Sequence, residues 1–228
     1  VPSPALWSPD TPSLYTVVST IRVGGKVVDE VRTPFGIRTV YVDAKQGFLL
    51  NGKPLKLRGG CVHHDNGPLG AAAYDRAEER RVELLKASGF NAVRTAHNPP
   101  STAFLDACDR LGMLVMDEFF DCWTIGKNPD DYARFFPDNW RWDLGQTMAR
   151  DRNHPCVVMW SIGNEIPEQN RPEGARTAAM LAAQVRENDP SRPVAVAAFN
   201  DVSRDLAVFP HVDVCGYNYM PANYDDDH

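Results

Sequence analysis

Beyond residue 45 the sequence alternates short apolar segments with longer amphipathic ones, and this alternation limits the fold more than any other feature. The apolar segments suit strands buried on both faces, and the amphipathic segments suit helices. The predicted strands are residues 55–58, 92–95, 113–117, 156–162, 194–198 and 212–216. One predicted helix begins at Asp75, with Glu78 completing a capping box, another runs from Ser101 to Gly112, and two more are centred on residues 142–150 and 180–185. The pattern indicates an α/β chain of parallel βα units.

Polar residues at the ends of the predicted strands distinguish two architectures. They follow all six strands, as His63 to Asp65, His97 with Asn98, Asp117 with Glu118, Asn164 with Glu165, Asn200, and Tyr217 to Tyr219. A doubly wound sheet gathers its ligand at one switch point beside a glycine-rich turn, and Gly59-Gly60 is too short for that turn. A (β/α)8 barrel places active-site residues at the carboxyl ends of many of its strands. We therefore predict an incomplete (β/α)8 TIM barrel of about six βα units over residues 46–228.

The first 45 residues carry a different pattern. Two β-rich runs, residues 14–23 and 26–33, flank Gly24-Gly25, which is typical of a hairpin. A sandwich domain of the immunoglobulin class needs about 100 residues. Residues 1–45 are therefore predicted to be the C-terminal part of an immunoglobulin-like β-sandwich. Because the chain starts at Val1 without an initiator Met, we expect it to be cut from a longer protein, and its compartment, cytoplasmic or periplasmic, stays open.

Composition argues against several classes of partner. Of the 228 residues, 24 are basic and 30 acidic, for a formal net charge of -6, and the basic residues form no stripe, so no nucleic-acid partner is expected. The longest apolar runs, such as residues 113–116 and 194–199, are far shorter than the roughly 20 residues of a membrane helix, so no membrane partner is expected. The five cysteines are widely spaced without a C-x-x-C pair, which favours buried free thiols.

Glu165 is the strongest candidate for acid–base chemistry. It follows an almost wholly apolar strand, so we expect its carboxyl to lie at the boundary between the apolar interior and the solvent-accessible end of the barrel, where a substrate would bind. Burial disfavours the charged form, and such a carboxyl could hold a proton near neutral pH as a general acid. The competing interpretation is a helix-start glutamate stabilised by the helix dipole. Asp117 and Glu118 are strand neighbours that point to opposite sides, and pairing with a loop or an arginine is the stronger prediction for them.

A metal site is the main rival interpretation. His63, His64, Asp65 and His97 offer ligands, but adjacent histidines diverge along a regular strand and no bridging carboxylate is evident. The sequence therefore favours a mechanism without a metal. The aromatic-rich segment 119–137 predicts either a lid that stacks on sugar rings or a small satellite core. Acyl transfer is not supported, because no G-x-S-x-G motif is present.

Short motifs along nearly the whole chain carry a family resemblance. They include Leu6-Trp7-Ser8-Pro9, Phe35-Gly36-Ile37-Arg38, Leu50-Asn51-Gly52-Lys53-Pro54, Asn91-Ala92-Val93-Arg94 with His97, Val115-Met116-Asp117-Glu118, Asp151-Arg152-Asn153-His154-Pro155 and Trp160-Ser161-Ile162-Gly163-Asn164-Glu165. Together they resemble glycoside hydrolase family 2. Members of that family have a sugar-binding-type sandwich, an immunoglobulin-like sandwich and a (β/α)8 catalytic barrel. The resemblance implies that this chain spans the end of the second sandwich and most of the barrel.

The same resemblance implies roles for individual residues. By similarity, Glu165 is the general acid/base and Asn164 contacts the sugar 2-hydroxyl. The other implied sugar-site positions are His97, His63 or His64, and Tyr219, while Asp65, Asp121 and Trp123 match a β-galactosidase-like branch. Two positions depart from better-known members. Cys61 stands where they have Asn, and Asp121-Cys122-Trp123 replaces a Glu-x-His metal pair, so neither magnesium nor another cofactor is expected.

A retaining glycosidase needs two carboxyl groups about 5 Å apart, one as acid/base and one as nucleophile. The resemblance places the nucleophile on a seventh strand, outside this sequence. We expect the parent protein to be an exo-acting retaining β-glycosidase with a carbohydrate substrate, first a β-galactosidase, and this chain alone to be inactive. A β-glucuronidase, a β-mannosidase and a non-catalytic carbohydrate-binding barrel stay open. Unpaired first and sixth strands predict self-association, so a homo-oligomer is also expected.

Overall fold

The computed structural model describes residues 1–199 and 206–219. The predicted strand-end residue Asn200 lies outside these ranges. The chain begins with an antiparallel hairpin of β1 (Tyr15–Val23) and β2 (Lys26–Phe35), with Gly24 and Gly25 both at positive φ in its turn. This confirms the predicted hairpin. A small antiparallel sheet follows, made of β3 (Val40–Asp43), β4 (Gly47–Leu50) and β5 (Lys53–Pro54).

A six-stranded parallel sheet forms the body of the structure. Its strands are β6 (Gly59–His63), β7 (Ala92–Ala96), β8 (Leu114–Glu118), β9 (Val157–Asn164), β10 (Val194–Phe199) and β11 (Val214–Asn218). Each strand pairs with the next along the chain, so β6 and β11 lie at the two edges. Every residue of β9 is buried, which places this strand at the centre of the sheet. The sheet curls into part of a barrel, and the predicted fold class is confirmed.

Four helices connect these strands. They are α1 (Asp75–Ala87), α2 (Thr102–Leu111), α3 (Phe136–Asp151) and α4 (Pro172–Asn188). Local signals define α2 well. The Ser101 hydroxyl accepts a hydrogen bond from the Phe104 backbone N–H, and Gly112 ends the helix with φ 73°, a conformation that glycine adopts without a Cβ penalty. Within the described residues, none of the helices is long and apolar enough to cross a membrane.

Two local predictions are wrong. The first parallel strand is Gly59–His63 and not residues 55–58, because pairing with β7 requires the chain to approach closely at Gly59. A Cβ at that position would lie 1.9 Å from the Ala92 carbonyl oxygen. The capping box at α1 is also absent. Tyr74 is the N-cap without a side-chain bond, and the Glu78 carboxylate instead accepts hydrogen bonds from Ser101 and Asn66.

The segments on either side of the hairpin pack under the parallel sheet. Trp7 is fully buried, and its indole N–H donates to the Asp109 carbonyl at 2.9 Å. Arg38 donates from Nε to the Pro155 carbonyl at 2.7 Å and from Nη2 to the Val157 carbonyl at 2.6 Å. These contacts tie residues 1–38 to the amino-terminal edge of the sheet. The carboxyl-terminal edge, at the opposite side, is the one that carries the polar residues.

Candidate active site

Polar side chains from β7, β8, β9, β11 and the segments that follow them meet at the carboxyl edge of the sheet. We call this group the strand-end network. Its members are Arg94, His97, Glu118, Ser161, Asn164, Glu165 and Asn218. The parallel register brings them together, since each lies at or just beyond the end of its strand or, for Arg94 and Ser161, within it.

Glu118 is the centre of the strand-end network. Its Oε2 accepts hydrogen bonds from Arg94 Nη2 and from Ser161 Oγ, both at 2.6 Å, and its Oε1 is bonded to His97 Nδ1 at 2.6 Å. The Glu118 side chain is completely buried. A buried carboxylate is stable only when its charge is paired and its oxygens accept hydrogen bonds, and both conditions are met here. Glu118 therefore fixes the positions of the arginine and the histidine.

Asn164 is held by three neighbours. Its Oδ1 accepts hydrogen bonds from Arg94 Nη2 at 2.9 Å and from Asn218 Nδ2 at 3.0 Å, and its Nδ2 donates to Asp121 Oδ1 at 3.0 Å. These partners distinguish the oxygen of the amide from its nitrogen. Asn164 is thereby fixed in one orientation before any ligand arrives.

Glu165 turns away from β9 directly after the strand ends. Its φ of 49° is uncommon for a residue with a Cβ, and its backbone N–H donates to the Ala197 carbonyl at 2.7 Å. The Glu165 carboxylate accepts a hydrogen bond from Asn218 Nδ2 at 2.8 Å through Oε1. The residue is half-buried. The strained backbone thus presents a partly accessible carboxyl beside the fixed amide of Asn164.

Asp121 and Lys127 border the network on the side of α3. Lys127 Nζ donates to Asp121 Oδ1 and to the Asn164 carbonyl, each at 2.7 Å. The Lys127 side chain is 22% exposed, so most of its charge is shielded from bulk water. This lysine holds the segment after β8 against the end of β9.

His63, the last residue of β6, and His64, directly after it, have different contacts. The ring of His63 contacts the ring of His97 edge-on, with centroids 5.0 Å apart. In contrast, His64 Nε2 lies 3.0 Å from the Ala71 carbonyl, and Asp65 Oδ1 accepts a hydrogen bond from the Gly67 backbone N–H at 2.9 Å. His64 and Asp65 therefore stabilise the loop after β6, and the four candidate metal ligands do not converge on one point.

Among the described residues, the predicted site residues Trp123 and Tyr219 make no hydrogen bond to the network. Trp123 is fully buried, and its indole N–H donates to the Ile162 carbonyl at 2.8 Å, beneath the end of β9. Tyr219 directly follows β11, has φ 61°, and is 79% exposed. The sugar contacts expected of both residues stay predictions.

Sequence reasoning missed several members of the site. It did not assign site roles to Arg94, Glu118, Ser161, Lys127 and Asn218. Arg94 could have been predicted as a site residue from the sequence. A guanidinium in the middle of an apolar strand requires a buried carboxylate nearby. The expectation that Glu118 pairs with an arginine is confirmed. The same expectation for Asp117 is wrong, because neither oxygen of this buried carboxylate has a hydrogen-bond partner among the described residues.

A second polar cluster lies at the amino-terminal edge of the sheet. His154 Nδ1 is 2.6 Å from Asp109 Oδ2, and the Cys156 backbone N–H donates to Asp109 Oδ1 at 2.9 Å. Burial acts to lower the pKa of His154, but the hydrogen bond and charge of Asp109 outweigh it and raise that pKa. Within the described ranges, Asp109, His154 and Cys156 form the only group of three or more metal-ligating side chains whose ligand atoms all lie within 4.8 Å of one another. Both Asp109 oxygens are already engaged in these hydrogen bonds, so the cluster holds the start of β9 against α2.

Comparisons with known proteins agree with this geometry. A model described as "Glycosyl hydrolases family 2, TIM barrel domain" matches residues 40–225, and one described as "Glycosyl hydrolases family 2" matches residues 1–38. Beta-galactosidase BoGH2A of Bacteroides ovatus is 41% identical over 99% of this chain and 31% of that protein. The beta-glucuronidase of Rattus norvegicus is 33% identical over 100% of this chain and 35% of that protein.

Solved structures give the same result. A glycosyl hydrolase family 2 member from Bacteroides cellulosilyticus superposes with a TM-score of 0.94 and 52% identity, over 99% of this chain and 29% of that one. The chain therefore spans about a third of the length of these relatives.

Proposed function

The chain belongs to glycosyl hydrolase family 2, and from that premise we propose that it carries the acid/base half of the active site of an exo-acting retaining β-glycosidase. The observation that carries the proposal is the placement of Glu165. Its half-buried carboxyl ends the central strand, beside an asparagine amide locked by three partners. Such an environment suits a group that must both give and take a proton.

The proposed reaction has two steps. In the first, protonated Glu165 gives its proton to the glycosidic oxygen while the bond from that oxygen to the anomeric carbon breaks and a second carboxylate bonds to that carbon. In the second, the Glu165 carboxylate takes a proton from water, the water oxygen bonds to the anomeric carbon, and the second carboxylate leaves. Asn164 and His97 are proposed to orient the sugar hydroxyls.

The second carboxylate is proposed to come from outside the described residues. Glu118 cannot attack a sugar, because it is completely buried and both oxygens are hydrogen-bonded. Asp121 shares its Oδ1 with Lys127 and Asn164. Of the two carboxyls in the strand-end network, Glu165 is the one that is only half-buried, and we expect turnover to need the full-length protein.

The charges of the network favour a neutral sugar. Arg94 is neutralised by Glu118, and Lys127 is neutralised by Asp121. Within the described residues of the network and its border, no other lysine or arginine is available for the carboxylate of a glucuronide. We therefore place a β-galactoside ahead of a β-glucuronide as the substrate.

The test uses the full-length protein and the variant Glu165→Gln with aryl β-galactosides. We expect a fall in turnover of about 10²- to 10⁴-fold on a substrate with a poor leaving group, and a smaller fall on a dinitrophenyl galactoside, which needs little protonation. Added azide should restore part of the rate on the activated substrate. Glu173→Gln, an exposed change on α4, is the matched control. Equal turnover by the Glu165→Gln variant and the wild-type protein would exclude the acid/base role.

The choice of sugar needs a separate measurement. A panel of nitrophenyl β-galactoside, β-glucuronide and β-mannoside is expected to give the highest kcat/KM with the galactoside. A glucuronide preference would mean that a cation from another segment enters the site.

A further inference from the structure

The peptide bond between Asn164 and Glu165 is held on both sides. Its carbonyl oxygen, which belongs to Asn164, accepts a hydrogen bond from Lys127 Nζ at 2.7 Å. Its N–H, which belongs to Glu165, donates to the Ala197 carbonyl on β10 at 2.7 Å. A peptide unit is planar, so hydrogen bonds at its two ends fix the tilt of the whole unit. The point from which the Glu165 side chain leaves the backbone is therefore set by one lysine and one strand.

The backbone of Glu165 needs such support. Its φ of 49° lies in the left-handed region, which residues with a Cβ occupy only at a cost in free energy. Such a conformation persists only where the surrounding structure enforces it. Ala197 contributes one contact from the neighbouring strand, and Lys127 contributes the other from the segment after β8. Without the lysine contact the peptide is free to tilt, and the carboxyl moves with it.

The Lys127 ammonium group also fixes the side chain of Asn164. Lys127 Nζ donates to Asp121 Oδ1 at 2.7 Å, and this oxygen accepts a second hydrogen bond, from Asn164 Nδ2 at 3.0 Å. Lys127 therefore holds the main chain of Asn164 directly and its side chain through Asp121. Hydrogen bonds that involve charged groups are roughly twice as strong as neutral ones. An uncharged methionine at position 127 would remove both contacts at once.

The backbone around Lys127 has its own anchors. The Asp131 carboxylate accepts hydrogen bonds from the backbone N–H of Lys127 at 2.6 Å and from two more backbone N–H groups of the same loop. Glu168, which is fully buried, accepts hydrogen bonds from the N–H and the hydroxyl of Thr124 at 3.0 and 2.7 Å. None of these contacts involves the Lys127 ammonium group. The loop therefore keeps its attachments when only that group is removed.

We propose that Lys127 is a positioning residue for Glu165, because it fixes the Asn164–Glu165 peptide so that the carboxyl points at the glycosidic oxygen. The inference rests on the proposed glycosidase function. Proton transfer needs the donor within about 3 Å of the oxygen that it protonates. Displacement of a catalytic group by about 1 Å lowers the rate by roughly 10²-fold. Lys127 acts through Glu165 in this role and not by contact with the substrate.

The test measures kcat/KM of the full-length wild type and of Lys127→Met on two aryl glycosides of the sugar that the wild type cleaves best. A phenyl glycoside has a poor leaving group and needs the proton of Glu165, whereas a dinitrophenyl glycoside needs little protonation. We expect Lys127→Met to lower kcat/KM by about 10- to 100-fold on the phenyl glycoside and by less than about threefold on the dinitrophenyl glycoside.

Thr124→Val is the matched control. It removes the hydroxyl that donates to Glu168 and so loosens the same loop, but it leaves the Lys127 side chain unchanged. Its kcat/KM should change by the same factor on the two glycosides. A loss confined to the phenyl glycoside in this variant would show that general order in the loop, and not the ammonium group, positions Glu165, and would overturn the inference.

Two results with Lys127→Met would also overturn the positioning role while leaving the glycosidase function intact. They are an equal loss of kcat/KM on both glycosides and no loss on either. If the wild type cleaves no aryl β-glycoside, or if Glu165→Gln is as active as the wild type, the proposed function fails and the inference falls with it. Should Lys127→Met fail to fold, Lys127→Gln removes the charge but keeps a polar end, and a selective loss of about fivefold on the phenyl glycoside is expected.

Discussion

Glu118 and His97 share a hydrogen bond of 2.6 Å between Oε1 and Nδ1, although 21 positions separate them in the sequence. With Nδ1 engaged, Nε2 is the nitrogen of His97 left to face a ligand. The same glutamate pairs with Arg94, which in turn holds Asn164. One buried carboxylate thus positions a histidine and, through the arginine, the asparagine next to the proposed acid/base.

Glu118→Gln should lower both stability and turnover in the full-length protein. The change leaves the Arg94 guanidinium, which is 14% exposed, without its counter-charge. Breaking a buried ion pair on one side costs about 3 to 5 kcal/mol, and chemical denaturation measures this loss. The exposed pair of Glu79 and Arg110 provides the control, and Glu79→Gln is expected to have little effect. A Glu118→Gln variant as stable and active as the wild type would contradict the positioning role.

Trp123→Phe separates packing from sugar binding. The variant keeps most of the ring volume but removes the N–H that donates to the Ile162 carbonyl, so we expect a loss of stability of about 1 kcal/mol with KM nearly unchanged. Thermal unfolding and steady-state kinetics on one preparation give both values. A marked rise in KM with unchanged stability would instead support the sugar contact predicted from the sequence.

Asp117→Asn should stabilise the protein relative to the wild type, by an amount that increases as the pH rises. Burial, and then the negative charge of Asp151, raise the pKa of Asp117 well above 3.8. Neither Asp117 oxygen has a hydrogen-bond partner among the described residues, so the protonated form is favoured in the fold. A raised carboxyl pKa gives stability that is complete below the unfolded pKa and is lost as the pH rises through the folded one.

Asparagine has no proton to lose, so its advantage over wild type should grow from about pH 4 upward. Melting temperatures of the two proteins across a pH series measure this difference. Asp138→Asn, at an exposed position of α3, is the control. A constant difference at every pH would show that folding does not raise the pKa of Asp117.

His154→Gln should destabilise the protein most at low pH. The pKa of His154 is raised above 6.5, because the bond and charge of Asp109 outweigh burial. The protonated histidine therefore stabilises the fold below the unfolded pKa, and this contribution is lost as the pH rises through the folded pKa. We expect a larger loss of melting temperature at about pH 5.5 than at about pH 8.5. His211→Gln is the control, and a loss that does not depend on pH would exclude the charged pair.

The sequence by itself determined the order of the elements and the place of Glu165 at the end of a strand. Ser101 and Gly112 bound α2 through contacts with residues no more than four positions away, so a local pattern is enough to predict them. The apolar run that becomes β9 likewise places Asn164 and Glu165 at a strand end. Both signals are local, because propensity, capping and periodicity act over a few residues.

Only the tertiary structure decided which side chains meet. The start of β6 depends on pairing with β7 some 30 residues on, and Glu78 leaves its expected capping role for Ser101, 23 positions away. Glu118 is bonded to partners 21 to 43 positions away, which the parallel register brings to one edge. Buried charges and hydrogen bonds select their partners through three-dimensional distance and desolvation, and neither quantity is present in the linear pattern.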